Sequence, residues 1–174
     1  MKKNIGFSTK KLIAMLCVAT LGLSLLSGCG SGGADSTIEV FAGENSFGYT
    51  VTGVENNGDG TTTVTMDMTP ITVKDGDAAT NVMTLMQIGS SFGMMPYLVI
   101  DGQRMDVPND KATMGIGGTE SGGLKCVYTF IFDTEAAPEE LWLYPSGRGD
   151  DKDWHYKIDP ETLKILERAA IEEE

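Results

Sequence analysis

Between residues 37 and 158 the sequence repeats one device: a short β-prone run, then turn chemistry, then another run. A chain cut into pieces this short satisfies its backbone hydrogen bonds by pairing the pieces with one another, which restricts it to sheets. Ile38 to Phe41 and Tyr49 to Glu55 open the series, and Asn56-Asn57-Gly58-Asp59-Gly60 reverses the chain into Thr61 to Met68. Ile71 to Val73, the turn Asp75-Gly76-Asp77 and Val82 to Ile88 follow. Tyr97 to Ile100 then meets Gln103 to Val107 across Asp101-Gly102, a strong two-residue hairpin signal. A Gly-rich stretch, Gly115 to Gly123, reads as a loop into Leu124 to Phe132, and Leu141 to Tyr144 with Trp154 to Ile158 close the series of short strands. Many short strands without an internal helical pattern predict an all-β, antiparallel β-sandwich. The chain end departs from this. Asp159-Pro160-Glu161 combines an N-cap, a proline at the first helical position and an early acid, and Leu163, Leu166 and Ala170 share a helical face, which predicts a short C-terminal helix.

The N-terminus is organised differently. Lys2, Lys3, Lys10 and Lys11 precede any carboxylate, and the uncharged run Leu12 to Leu26 is 15 residues long, shorter than the ~20 a membrane-spanning helix needs. That is the pattern of a secretion signal over residues 1–28. The tetrapeptide that follows, Leu26-Ser27-Gly28-Cys29, resembles the lipobox of bacterial lipoproteins: an aliphatic residue, two small ones, then cysteine. The resemblance implies diacylglycerol on the Cys29 thiol, cleavage after Gly28 and a membrane anchor on the extracytoplasmic face of the cell membrane. Residues 29–36 then form a Gly/Ser tether with a reach of roughly 15 Å, and residues 37–174 form one domain.

Removing the four signal lysines leaves nine basic residues against 25 acidic ones, a formal charge of −16. A field of that sign repels nucleic acid and favours cations or basic partners. Cys17 leaves with the signal and Cys29 is taken by lipid, so Cys126 has no disulfide partner and reads as a buried structural thiol. Stability must then come from packing.

The last third of the chain is similar to the telokin-like, immunoglobulin-like lipoproteins of Gram-positive bacteria, some of them known only as domains of unknown function. The residues that carry the likeness are Tyr128-Thr129-Phe130-Ile131-Phe132-Asp133, Pro138, Leu141-Trp142-Leu143-Tyr144 and Trp154-His155-Tyr156-Lys157-Ile158. It implies an immunoglobulin-like fold, without the paired cysteines of antibody domains, and supplies no catalytic residues.

Several motifs invite chemistry. Gly89-Ser90-Ser91-Phe92-Gly93 matches the nucleophile-elbow pattern and His155 lies downstream, but Pro96 and a β-prone run follow Ser91 where the elbow needs a helix. His155 is the sole histidine and alternates with Lys157 onto what reads as a solvated face, so zinc lacks its ligands. Gly115-Ile116-Gly117-Gly118 lacks the lysine of a phosphate loop. Asn57 with Asp59, Asp75 with Asp77, and Asp150, Asp151 and Asp153 offer oxygen ligands for calcium, though acidic turns suit any domain of this charge. Met66 with Met68, Met83 with Met86, and Met94 with Met95 offer thioethers for Cu(I), while Met66 and Met68 also read as a core stripe beside Val64. Arg148-Gly149-Asp150 spells an adhesion tripeptide and reads equally as a polar turn.

The most suggestive pattern is aromatic. Trp142 and Tyr144 alternate with Leu141 and Leu143, so if the leucines face the core two rings turn outward, near Trp154 and Tyr156 on the next segment, whereas a central strand buried on both faces, or covered by the terminal helix, would show the same pattern. The expected function is a non-enzymatic, lipid-anchored binding or assembly module of the cell envelope, with no cofactor and with a protein or glycan partner; calcium or glycan binding is the alternative, and an envelope hydrolase the third. Labelled palmitate is expected to enter the wild-type protein in growing cells and to be absent from Cys29→Ser; uptake by the variant overturns the anchor.

Overall fold

The computed structural model describes residues 36–74, 82–91, 93–146 and 154–170. These belong to one compact unit, Gly32–Glu174; a second, Met1–Ser31, lies outside the described residues, as do Leu26, Ser27, Gly28 and Cys29. The elements in chain order are β1 (Thr37–Ala42), β2 (Asn45–Asn56), β3 (Thr62–Thr72), α1 (Val82–Ser91), β4 (Met94–Ile100), β5 (Gln103–Asp106), a 3-10 turn (Asn109–Lys111), β6 (Ala112–Gly118), β7 (Leu124–Phe132), β8 (Glu140–Pro145), β9 (Trp154–Ile158) and β10 (Ile165–Ala170).

They form two antiparallel five-stranded sheets, ordered β1-β2-β3-β7-β6 and β10-β9-β8-β4-β5. With β1 and β10 set aside, β2-β3-β7-β6 and β9-β8-β4-β5 reproduce the ABED and GFCC′ strand orders of an immunoglobulin sandwich. The inward residues of both sheets meet in one core: Phe47, Tyr49, Val64, Met66, Cys126, Tyr128 and Phe130 from the first, Leu98, Leu141, Leu143, Tyr156 and Ile158 from the second. On β7 the expected alternation holds, with Cys126, Tyr128, Phe130 and Phe132 all buried. Met66 and Met68 are fully buried on β3, which makes that pair core packing.

Local turn chemistry explains the hairpins. Asp101 and Gly102 both adopt positive φ, at 52° and 70°, the conformation of the two-residue turn that matches strand twist, and they bring Ile100 opposite Gln103. Pro96 is tolerated in β4 because β5 has already ended beside Tyr97, so no neighbour on that side awaits its missing N–H.

Three expectations fail, each for a physical reason. Val82 to Ile88, read as a strand, lies in helix α1. A short apolar run has no period of its own to decide the matter; it is rich in Met, Leu and Gln, and Leu85 and Gly89, four apart, form its buried face. Gly115 to Gly123, read as a loop, begins inside strand β6, where Gly115 faces Val127 and Gly117 faces Lys125. Residues 165–170, expected as helix, form β10 against β9. The cap does form: Asp159 Oδ1 accepts from the N–H groups of Glu161 and Thr162 at 2.9 and 3.0 Å. Leu163 then turns to φ 59°, which ends any helix and sends the chain back along β9.

Helix α1 seats on β7 through Gly89. A Cβ there would stand 2.5 Å from the Tyr128 hydroxyl, 3.1 Å from Met114 Sδ and 3.2 Å from Cys126 Sγ. Tyr128 cannot yield, because its ring stacks on Phe130 and its hydroxyl donates to the Gly89 carbonyl at 3.0 Å. Alanine gains about 1 kcal/mol of helix propensity, against about 1–3 kcal/mol for overpacking. Gly89→Ala is therefore expected to lower unfolding free energy in a urea titration; a rise would show that the helix can lift off the sheet freely.

Candidate functional site

The inward leucines of β8 leave Trp142 and Tyr144 on the outer face of the second sheet, as the alternation requires. Register places Tyr97 of β4 directly opposite Trp142, with ring centroids 6.2 Å apart and planes 5° from parallel. Tyr144 lies 6.1 Å from Tyr97. His155 of β9 completes the group, 5.8 Å from both Tyr97 and Tyr144 and 6.5 Å from Trp142. Tyr97 is the floor of this cluster at 9% exposure, and the other three rings are half-buried around it.

Two cations sit over the rings. The Arg104 guanidinium of β5 lies 4.1 Å from the Tyr97 centroid and 5.1 Å from that of Tyr144. Asp106 Oδ1 holds it there, accepting from Nε at 2.9 Å and from Nη2 at 2.7 Å. Lys157 Nζ lies 5.6 Å from the Trp142 ring. Glu140 ties that pair together, accepting the Trp142 indole N–H at 2.7 Å and forming an ion pair with Lys157. These bonds, Lys157 first, hold the Glu140 carboxyl below its ordinary range. Stacked rings contribute about 0.5–1.5 kcal/mol beyond area and exposed cation–π contacts about 0.5–1 kcal/mol, so the face is fixed before anything binds.

Of the residues expected here, Trp142 and Tyr144 are where the alternation put them. His155 shares the outer face with Lys157 but is packed among rings and only partly solvated. Trp154 and Tyr156 are on the opposite face: Tyr156 is core, and Trp154 packs beside it with Arg168 4.2 Å from its ring. The sequence reading missed Tyr97 and Arg104. The Asp101-Gly102 hairpin held the signal, since its register places Tyr97 and Arg104 on one side of adjacent strands.

Other candidates disperse. Ser91 is the last residue of α1 and precedes a strand, the reverse of the strand-to-helix elbow that exposes a nucleophile; Phe92 lies outside the described residues. Asn57 and Asp59 fix their own turn, Asn57 Nδ2 donating to the Thr61 and Thr63 hydroxyls and Asp59 Oδ1 accepting from Thr61. Asp75, Asp77, Asp150, Asp151, Asp153 and Arg148-Gly149-Asp150 lie outside the described residues. Cys126 is a buried free thiol, pushed up to about 11 by burial. Among the described residues no three His, Cys, Asp or Glu side chains converge as metal ligands, and no helix is long and apolar enough to cross a membrane. Comparison of the chain with family models, curated proteins and solved structures found no match.

Burial, aided by the neighbouring Arg104 cation, lowers the His155 imidazole below its ordinary value. In the unfolded chain the group titrates near 6.5, so on acidification the unfolded state takes the proton first and stability falls below about pH 6.5. Denaturant midpoints measured from about pH 7 to about pH 5 are expected to decline in the wild type and to decline less in His155→Phe, which keeps a ring without the titration. Equal slopes would mean that the histidine is not the source.

Proposed function

We propose that this protein is a lipid-anchored, non-enzymatic binding module on the extracytoplasmic face of the cell membrane, and that it docks an envelope protein through the outer face of the β9-β8-β4-β5 sheet. The membrane part of this reading rests on the lipobox-like Leu26-Ser27-Gly28-Cys29, and the strand order is in keeping with an immunoglobulin-like sandwich. The observation that carries the docking part is the ring cluster Tyr97, Trp142, Tyr144 and His155, assembled on a face the core does not need. Aromatic and arginine side chains are the groups that concentrate binding energy at protein interfaces.

Charge supports the same face. Arg104 pairs with Asp106 and Lys157 with Glu140, so the cluster is locally balanced in a chain whose formal charge is −12. A partner approaching here meets less long-range repulsion than an acidic molecule offers elsewhere. The protein reading is favoured over a glycan because the Arg104 guanidinium already lies on the Tyr97 ring, where a sugar would stack.

The test is crosslinking on intact cells with a photoreactive residue in place of Met95, beside Tyr144, in wild-type and Trp142→Ala backgrounds. An adduct of defined mass is expected, weakened about 30-fold by the substitution, which corresponds to a hot-spot loss of about 2 kcal/mol, with an unchanged circular dichroism spectrum. An adduct indifferent to Trp142→Ala removes this face from the reading. Glycan binding abolished by the same substitution makes the occupant a sugar.

A further inference from the structure

We propose that the open groove between helix α1 and edge strand β6 is a Cu(I) site whose ligands are the thioethers of Met83, Met86 and Met114. The groove has a volume of about 590 Å³ and is lined by these three methionines with Thr84, Gln87 and Ser90. Met83 and Met86, three apart on a helix, share one of its faces. Met114 comes from β6 and approaches the helix closely, its sulfur 3.1 Å from the point a Cβ on Gly89 would occupy.

Leu85 and Gly89 form the buried face of α1 and Met114 packs partly against the core, whereas Met83 keeps 75% of its surface exposed, so its side chain can be reached from solution. The lining contains no carboxylate, the charged ligand that hard cations favour, and no imidazole, the usual ligand of borderline ions. Neutral, soft sulfur is what Cu(I) prefers. The nearby Cys126 thiol is committed elsewhere: it is fully buried and its Sγ donates to the Leu85 carbonyl. A thioether carries no proton, so binding here loses no affinity to ligand protonation on acidification, unlike binding at thiolate or imidazole.

The site is independent of the ring cluster on the other sheet, and so is its test. The full chain in detergent, carrying ¹³C-methyl methionine, is titrated with Ag(I) as a redox-inert stand-in and with Cu(I) under ascorbate. In the unprocessed full chain the thiols of Cys17 and Cys29 also take soft ions, so the signals are followed residue by residue. The ε-methyl signals of Met83, Met86 and Met114 are expected to shift together while those of the buried Met66 and Met68 stay fixed. Met83→Leu, at an exposed position, and Met114→Leu, close in volume, should each weaken the response by roughly tenfold or more. The affinity should hold between about pH 7 and about pH 5. No shift at these three methyls, a response that follows Cys126→Ser and ignores Met114→Leu, or an affinity that collapses over that pH range overturns the proposal.

Discussion

Leu141 and Leu143 on one sheet, and Tyr128 and Phe130 on the other, are withdrawn from water only when the two sheets face each other, and most of the molecule follows from that burial. Each fully buried leucine contributes about 1.5–3 kcal/mol, and no disulfide is available among the described residues to share the task. The pleat then allows no choice: a one-residue slip of β8 would carry both leucines into solvent and both outward rings into the core. The register that buries Leu141 against Ile158 and Leu98 is therefore the same register that sets Trp142 between Tyr97 and Lys157. Core and candidate binding face are two sides of a single pairing.

The outer face is organised by charge as much as by stacking. Exposed ion pairs taken singly contribute little, with a median of about 0–1 kcal/mol, but Asp106 and Glu140 do something other than stabilise. Asp106 holds the Arg104 guanidinium against Tyr97, and Glu140 positions both Trp142 and Lys157. A surface whose side chains are already fixed loses less conformational entropy when a partner arrives. That preparation distinguishes this face from a scatter of surface aromatics.

The helix between β3 and β4 solves a different problem, that of crossing from one sheet to the other. It lies against β7 at Gly89, where only a hydrogen fits beneath the Tyr128 hydroxyl, and it leaves Met83 and Met86 above β6. Strand β6 turns Met114 and Ile116 toward the face on which the helix lies, while Gly115 and Gly117 fall on the other face.

Alternation and turn chemistry determined the strands of β7 and β8, the Asp101-Gly102 hairpin and the outward aim of Trp142 and Tyr144, because period two and positive-φ turns act over a few residues and are written locally. The lipobox-like tetrapeptide is local in the same sense. Tertiary structure decided the rest. Residues 82–88 became helix because Leu85 and Gly89 found a seat on β7, and 165–170 became strand because β9 offered an unpaired edge after Leu163 turned the chain. Tyr97, Arg104 and His155 joined the rings, and Met114 joined Met83 and Met86, only through strand order and helix placement. Such meetings join residues tens of positions apart, and their closeness depends on which strands are neighbours, a choice made by burying a shared core and not by any one segment of the sequence.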